Sequence, residues 1–461
     1  MSGTAQSSFS IPDDDALIAS ALEEASIPTL MMSMIHMSGD ASLLDGAIRP
    51  AGVFINEYQG YMSEEDKATV RARALEMIKN FRDGGCQLPS SPSPATIHRM
   101  MNFIVAGDVP EDYVPMMLEE MELDGIDQRS DACSDEVPAK ARAQHKVLVI
   151  GGGMSGVLAA YRLQEAGIPF VVIEKNSAVG GTWFENRYPG ARVDVGNHLY
   201  SYSFEPAHHW TQYFSQQKEL QQYFEGVVYH HQLEQHFRFN TEVTGAVFDE
   251  VSKEWTVNTI DKDGVEEQYV ANSVISAVGQ LNRPVLPDIP GVDSFVGQWC
   301  HSAAWDDSID CRRKKVVVVG SGASAFQLVP TIAGDVGQLT VFQRSAPWMF
   351  ENPIYHEEVP QGKKWCLQNL PFYTRWFRFL IFWPACDGAY DTVFVDPEWP
   401  HQERSINEMN DFVYQMFFDH IKGQVGDDEE LLKKVTPDYA PMGKRTLQDN
   451  GSWLSALKRD N

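Results

Sequence analysis

Two glycine-rich loops, each set between a short apolar run and a helix-patterned segment, constrain this 461-residue chain more than any other feature. The first is Gly151-Gly-Gly153-Met-Ser155-Gly156, after Lys146-Val-Leu-Val-Ile150. The second is Gly320-Ser321-Gly322-Ala323-Ser324-Ala325, after Lys315-Val-Val-Val-Val319. In this context glycine permits a tight turn and close backbone approach to a pyrophosphate, while the helix N-terminus faces its charge. Two such loops imply two dinucleotide sites, and hence two redox cofactors exchanging electrons. The expected fold class is α/β, with two Rossmann-like dinucleotide-binding domains preceded by an all-helical N-terminal extension.

The residues that end each second strand distinguish the sites. After Phe170-Val-Val-Ile173 comes Glu174, placed to accept hydrogen bonds from a ribose diol. A carboxylate there repels a 2′-phosphate, so this site suits FAD or NAD; the structural alternative is a turn used only for packing. After Leu339-Thr-Val-Phe342 comes Gln343-Arg344-Ser345, with a guanidinium able to pair a 2′-phosphate bidentately. The plain alternative for Arg344 is a surface arginine at a loop entry. The contrast assigns FAD to the first loop and NADPH to the second.

The rest of the chain divides into segments around these loops. Residues 1–125 read as a helical extension. Ser63-Glu-Glu-Asp66 is an N-cap signal ahead of Val70, Leu75, Ile78 and Phe81, and Ser93-Pro94 opens a second helix. Methionines at 31, 32, 34, 37, 116, 117 and 121 suit core packing better than a pliant binding surface. Residues 126–144 are polar and read as a linker. An FAD-binding domain is expected over 145–290, with an antiparallel meander from runs near 238–248, 254–260 and 268–276. An NADP-binding domain is expected over 291–461, with a helical insertion at about 350–440.

Net charge of −27 argues against nucleic acid or anionic membrane surfaces as partners. The six cysteines show no CxxC spacing, as expected of free thiols in a reducing compartment. The aromatic run Trp376–Trp383 is broken by Arg378, preceded by Arg375 and closed by Pro384, so it reads as a buried helix rather than a membrane span. A cytoplasmic protein is expected, and no metal site: His208, His209, His230 and His231 lack partners at ligand spacing. The helical extension offers a surface for a homodimer.

Two further runs carry a family resemblance. One is Phe295-Val-Gly297-Gln-Trp-Cys-His301-Ser-Ala-Ala-Trp305-Asp306 between the loops. The other is Gly180-Gly181-Thr182-Trp183-Phe184-Glu185-Asn-Arg187-Tyr188-Pro189-Gly190-Ala-Arg192-Val193-Asp194. With these FxGxxxHxxxW and GGxWxxxxYPGxxxD patterns, and with Ile275–Pro284, Tyr200–Phe204 and Gly443-Lys444-Arg445, residues from about 145 onward resemble the Baeyer–Villiger monooxygenases. Those flavin enzymes insert oxygen beside a ketone carbonyl. The N-terminal extension resembles that of the 4-hydroxyacetophenone monooxygenase subgroup.

The resemblance implies an FAD-dependent enzyme that consumes NADPH and O2 and converts a ketone to an ester or lactone through a flavin C4a-peroxide. It makes Arg445 the guanidinium that holds the peroxide as its anion, and Asp194 the carboxylate that positions it. Thr182, Trp183, Phe184, Glu185, Asp194, Tyr200 and Val243 match flavin-side positions beside the loop residues Gly151, Gly153, Ser155 and Gly156. Arg192, Val193, Gln327, Arg344, Ser345, Lys444 and Arg445 match the NADP side, with the loop Gly320–Ala325. Phe295, Gly297, His301 and Trp305 match a signature at the junction of domains, where His301 couples motion rather than moving protons.

Against the family pattern the chain stops soon after Arg445, so the last strands of the flavin fold are expected to lie outside it. Two other readings stay open: a related flavin monooxygenase acting on nitrogen or sulfur, and a truncated, inactive remnant or subunit.

Overall fold

The computed structural model describes residues 10–122, 127, 129 and 137–461. About half of the expected linker, Cys133 included, and residues 123–125 of the extension lie outside the described residues; a helix, Ala139–Gln144, forms within the linker's described end. The chain divides into two compact units. One contains residues 128–193, 215–342 and 459–461, the other residues 1–127, 194–214 and 343–458.

The first of these units holds both glycine loops. Strands β1 (Val147–Ile150), β2 (Phe170–Ile173), β3 (Phe237–Arg238) and β7 (Ser273–Ser276) form a parallel sheet in the order β3-β2-β1-β7. Its central strand β1 is buried on both sides, as continuous apolar runs in parallel sheets require. The three runs expected as a meander give β4 (Thr241–Asp249), β5 (Glu254–Asp261) and β6 (Glu266–Ala271), paired antiparallel. The last run is not one strand. It breaks at Asn272, whose side chain accepts the Lys146 N–H at 2.9 Å, and β7 leaves the meander to pair in parallel with β1. Strands β8 (Lys315–Val319) and β9 (Gln338–Phe342) pair in parallel, joined by the helix Ala323–Ile332.

In the other unit, Ser63 caps the helix Glu64–Asp83 by accepting the Asp66 N–H at 3.1 Å, and three carboxylates of the first turn complement the helix dipole. Val70, Ala74, Ile78 and Phe81 form its buried stripe. Pro94 starts the helix Pro94–Val105 where its missing N–H costs nothing. Met31, Met32, Met34, Met37, Met117 and Met121 are buried in the core, while Met116 is exposed. That core is continuous with the helices Gln361–Asn369 and Tyr373–Ala385. Ser26 donates its N–H to the Tyr373 hydroxyl at 2.7 Å, and a Cβ at Gly362 would come within 2.8 Å of the Ala21 backbone. The extension is therefore packed as one body with sequence beyond residue 360. The aromatic run lies inside this core, and no described helix is long and apolar enough to cross a membrane. Strands β10 (Met349–Glu351) and β11 (Leu447–Asp449) form a short parallel pair.

Candidate functional site

The first glycine loop is held by contacts that leave no room for a side chain. Gly151 sits at φ +102, and a Cβ there would lie 2.6 Å from the Ala277 carbonyl oxygen. One at Gly156 would lie 1.8 Å from the Gly151 carbonyl oxygen, which is why the helix Met154–Glu165 can start directly on the loop. The Gly180-Gly181 pair closes over it. Gly180 donates to the Gly152 carbonyl at 3.0 Å, and Gly181, at φ +52, touches Gly153 backbone to backbone.

Glu174 is buried, and its two carboxylate oxygens accept the N–H groups of Gly152 at 2.6 Å and Asn176 at 2.7 Å. A carboxylate has about four acceptor positions, so capacity for ribose hydroxyls remains. The short helix Thr182–Glu185 follows, with Trp183 buried and Thr182 exposed. Glu185 accepts Lys175 Nζ at 2.8 Å and Asn176 Nδ2 at 3.2 Å. Val243 packs on the small cluster of Leu148, Ile173, Val257 and Ala271. Ser155 is exposed on the first turn of its helix. The donor set and glycine cradle therefore fit a dinucleotide with a free ribose diol.

The second loop contrasts with the first. A Cβ at Gly320, φ +115, or at Gly322 would meet no atom within 4 Å, so the backbone is open to close approach by a phosphate. Ser321 is buried, whereas Ala323, Ser324 and Ala325 are half-buried. We expect Gly322→Ala, whose backbone lies in the extended region, to leave melting unchanged while weakening NADPH binding about tenfold, roughly 1.4 kcal/mol. A titration of nicotinamide nucleotide against both proteins checks this.

Gln327, expected on the NADP side, is buried. Its buried carboxamide accepts from Tyr188 Oη at 2.8 Å and the Arg192 N–H at 3.2 Å, and donates to the Arg192 carbonyl at 3.0 Å. It anchors the Tyr188–Arg192 segment to the helix after the second loop. A Cβ at Gly190, φ +84, would strike Thr331 Oγ1 of that helix at 2.2 Å. Arg192 and Val193 are buried accordingly. In the signature run, His301 Nδ1 accepts the Ala303 N–H at 3.0 Å, and Trp305 packs beside Tyr188, Leu328 and Ile332. Phe295 remains 60% exposed, its ring over Gly297.

The second unit carries the remaining expected residues. Arg344 and Lys444 are both exposed; Lys444 Nζ lies 3.1 Å from Ser345 Oγ and 4.1 Å from the centroid of the Tyr439 ring. Arg344 follows β9 by two residues in sequence and forms no ion pair among the described residues. Arg445 and Asp194, far apart in sequence, meet with Nη1 and Oδ2 3.3 Å apart. The arginine side chain is 62% exposed and the aspartate 31%. Among the described residues no cluster of histidine, cysteine, aspartate and glutamate could hold a metal.

Two positions escaped the sequence reading. Arg378, buried on the helix Tyr373–Ala385, donates to the carbonyls of His198 at 2.7 Å and of Leu199 and Ser201 at 3.3 Å, with Glu120 at 2.8 Å as its counter-ion. It shapes the loop that carries half-buried Tyr200, helped by Arg375 on the Ser203 carbonyl at 2.6 Å. The signal was present: an arginine inside an aromatic, core-forming helix must have partners, because a buried unpaired charge is prohibitively costly. Gln448, described below, gave no such signal.

Comparison with known proteins agrees with this geometry. Residues 148–364 match the pyridine nucleotide-disulphide oxidoreductase family. The chain is 35% identical over 442 residues to an uncharacterized monooxygenase, y4iD, of Sinorhizobium fredii, covering 96% of this chain and 66% of that protein. It is 37% identical over 317 residues to a Baeyer–Villiger monooxygenase of Streptomyces coelicolor, covering 68% of this chain and 57% of the relative. Among solved structures, the OTEMO complex with FAD and NADP superposes with a TM-score of 0.58 at 26% identity, over 69% of this chain and 65% of that one. An oxidized steroid monooxygenase bound to NADP gives 0.57 at 29% identity, over 69% and 64%. The chain thus spans between 57% and 66% of the length of these two curated relatives. By sequence and by fold it is a relative of the FAD-binding monooxygenases, Baeyer–Villiger enzymes among them.

Proposed function

We propose that this chain carries out the Baeyer–Villiger reaction of an FAD monooxygenase: ketone, O2, NADPH and a proton become ester or lactone, NADP+ and water. The observation that carries this reading is the Arg445–Asp194 pair, a guanidinium beside a carboxylate yet still largely exposed for a further anionic partner. FAD bound at the first loop would supply the oxygenating equivalent after reduction by NADPH.

The chain's own groups then have distinct tasks. Glu174 accepts hydroxyls of the flavin nucleotide's ribose, while Arg344 and Lys444 offer charge to the 2′-phosphate of NADPH. Arg445 presents N–H donors to the negative charge that develops on the ketone oxygen as the carbonyl is attacked. Asp194 keeps that guanidinium in one place, so little reorganisation is needed when the charge appears. The FAD-binding segment over 145–290 and the NADP-binding segment over 291–461 are part of the same proposal, as is the likeness of the extension to the 4-hydroxyacetophenone subgroup.

Oxygen uptake by the purified protein with FAD and NADPH, with and without a panel of ketones and thioethers, tests this. Esters from ketones are expected. Sulfoxides with no ester would transfer the chain to the branch that oxygenates soft nucleophiles, and a protein that stays colourless with FAD would be a remnant.

A further inference from the structure

The Arg445–Asp194 pair does not stand alone; a buried carboxamide three residues after Arg445 fastens it to the rest of its unit. Gln448 lies on β11 and is almost wholly buried. Its Nε2 donates to the backbone carbonyl of Asp194. Its Oε1 accepts two donors, Nδ2 of Asn352 and, at 3.1 Å, Nδ2 of Asn56. This arrangement fixes the orientation of the amide. Turned over, its N–H2 would face two N–H donors and its oxygen would face the Asp194 carbonyl.

Asn352 is itself tied down on the neighbouring strand side, its Oδ1 accepting the Ile354 N–H at 3.1 Å. Asn56 comes from the N-terminal extension, 392 positions from Gln448 in sequence. It sits in the left-handed region at φ 68, which asparagine tolerates, and its Oδ1 accepts the hydroxyl of Tyr58 at 3.3 Å. Tyr58 is buried and meets Phe377 edge-on, 5.1 Å between ring centres. A continuous path therefore runs from the core of the helical layer through Tyr58, Asn56 and Gln448 to the backbone of Asp194.

We propose that Asn56, acting through Gln448, is a positioning residue for Arg445; the catalytic meaning of this rests on the function proposed above, but the coupling itself does not. With Asn56 in place, both acceptor positions of Gln448 are filled and its donor is committed to Asp194. Without it, one of two tethers on Oε1 is lost, the carboxamide gains freedom to rotate, and the Asp194 backbone is released toward solvent. Asp194 then spends less time against the guanidinium. The helical extension thereby contributes to the precision of the site rather than to packing alone.

Arginine-selective modification by phenylglyoxal, read peptide by peptide by mass spectrometry, tests the coupling without any cofactor. Arg445 is exposed enough to react, and its contact with Asp194 slows the reaction. Asn56→Gly, which keeps the left-handed backbone, and Gln448→Met, which keeps the side-chain volume, are each expected to raise the rate at Arg445 about threefold to tenfold, the value of one or two hydrogen bonds. Arg404, bound to Asp411 at 2.7 Å elsewhere in the unit, serves as the reference and should not change.

An unchanged rate at Arg445 in Asn56→Gly overturns the proposal, and so does an equal rise at Arg404, which would mean general loosening. Measured alongside, ester yield per NADPH should fall in Asn56→Gly by a similar factor with FAD content unaltered. If the unsubstituted protein makes no ester at all, the proposed function fails while the arginine reactivities still decide the coupling.

Discussion

Arg445→Ala is expected to lower ester formation from a ketone about a hundredfold to a thousandfold, the usual cost of removing a fixed donor from a developing oxyanion. The same substitution should leave the protein folded and yellow. Arg445 is 62% exposed, and an ion pair that open to water contributes only about 0–1 kcal/mol to stability. It also belongs to a different compact unit from Gly151, Gly156 and Glu174, the residues to which we assign FAD. Arg445→Lys should fall between the two, because an ammonium keeps the charge and loses the planar fork. Measuring ester yield, NADPH oxidation and flavin absorbance on one preparation separates the effects. Ester formation that survives in Arg445→Ala would remove the central element of the proposed function.

Acid should unfold the protein over an unusually narrow range. His36 and His198 are buried in the helical core, and burial pushes the pKa of each down to about 3. For His198, Lys363 is the next contributor, followed by His208, Arg378 and Lys364. Geometry independently requires His36 to be neutral. The Trp376 indole, which can only donate, points its N–H at His36 Nε2 at 3.0 Å, so that nitrogen carries a lone pair. His198 lies edge-on to Phe377, with ring centres 5.3 Å apart, and its Nε2 has no hydrogen-bond partner among the described residues.

In the unfolded chain both imidazoles take up protons near pH 6.5. The folded state binds them only near pH 3, so the unfolded state holds more protons throughout that window. Stability is complete above about 6.5 and is lost as pH falls, at about 1.4 kcal/mol per pH unit for each histidine. Two such groups remove several kcal/mol between pH 6.5 and 4.5, a large share of a typical folding free energy. Thermal melts over that range should show a steep fall. His36→Gln, which still accepts the indole N–H but does not titrate, should reduce the slope by about half. A melting temperature that stays flat from pH 6.5 to 4.5 contradicts this account.

Much of the nucleotide-binding part was legible because its determinants are local. A glycine loop is specified by conformations only glycine adopts comfortably and by strands and helices that begin within a few residues, and Glu174 follows its strand directly. The helix start at Ser63 was legible for the same reason: the cap and the donor it satisfies are three residues apart. Reading broke down where one run served two sheets. Residues 268–276 alternate like a single strand, and nothing within them says that Asn272 will pair with Lys146, or that β7 will seek β1.

The sequence by itself determined two unlike dinucleotide cradles, their order along the chain and the kinship that their flanking runs imply, because these depend on backbone conformation and charge at fixed short spacing. The resemblance implied that Arg445 pairs with Asp194; tertiary structure alone decided that Gln327 turns to Arg192 and that Asn56 reaches Gln448. It also decided that helices of the N-terminal extension share one core with the helices Gln361–Asn369 and Tyr373–Ala385. Such contacts join residues more than a hundred positions apart, and they are selected by packing and by the need of every buried polar group for a partner, neither of which is written in any short stretch of chain.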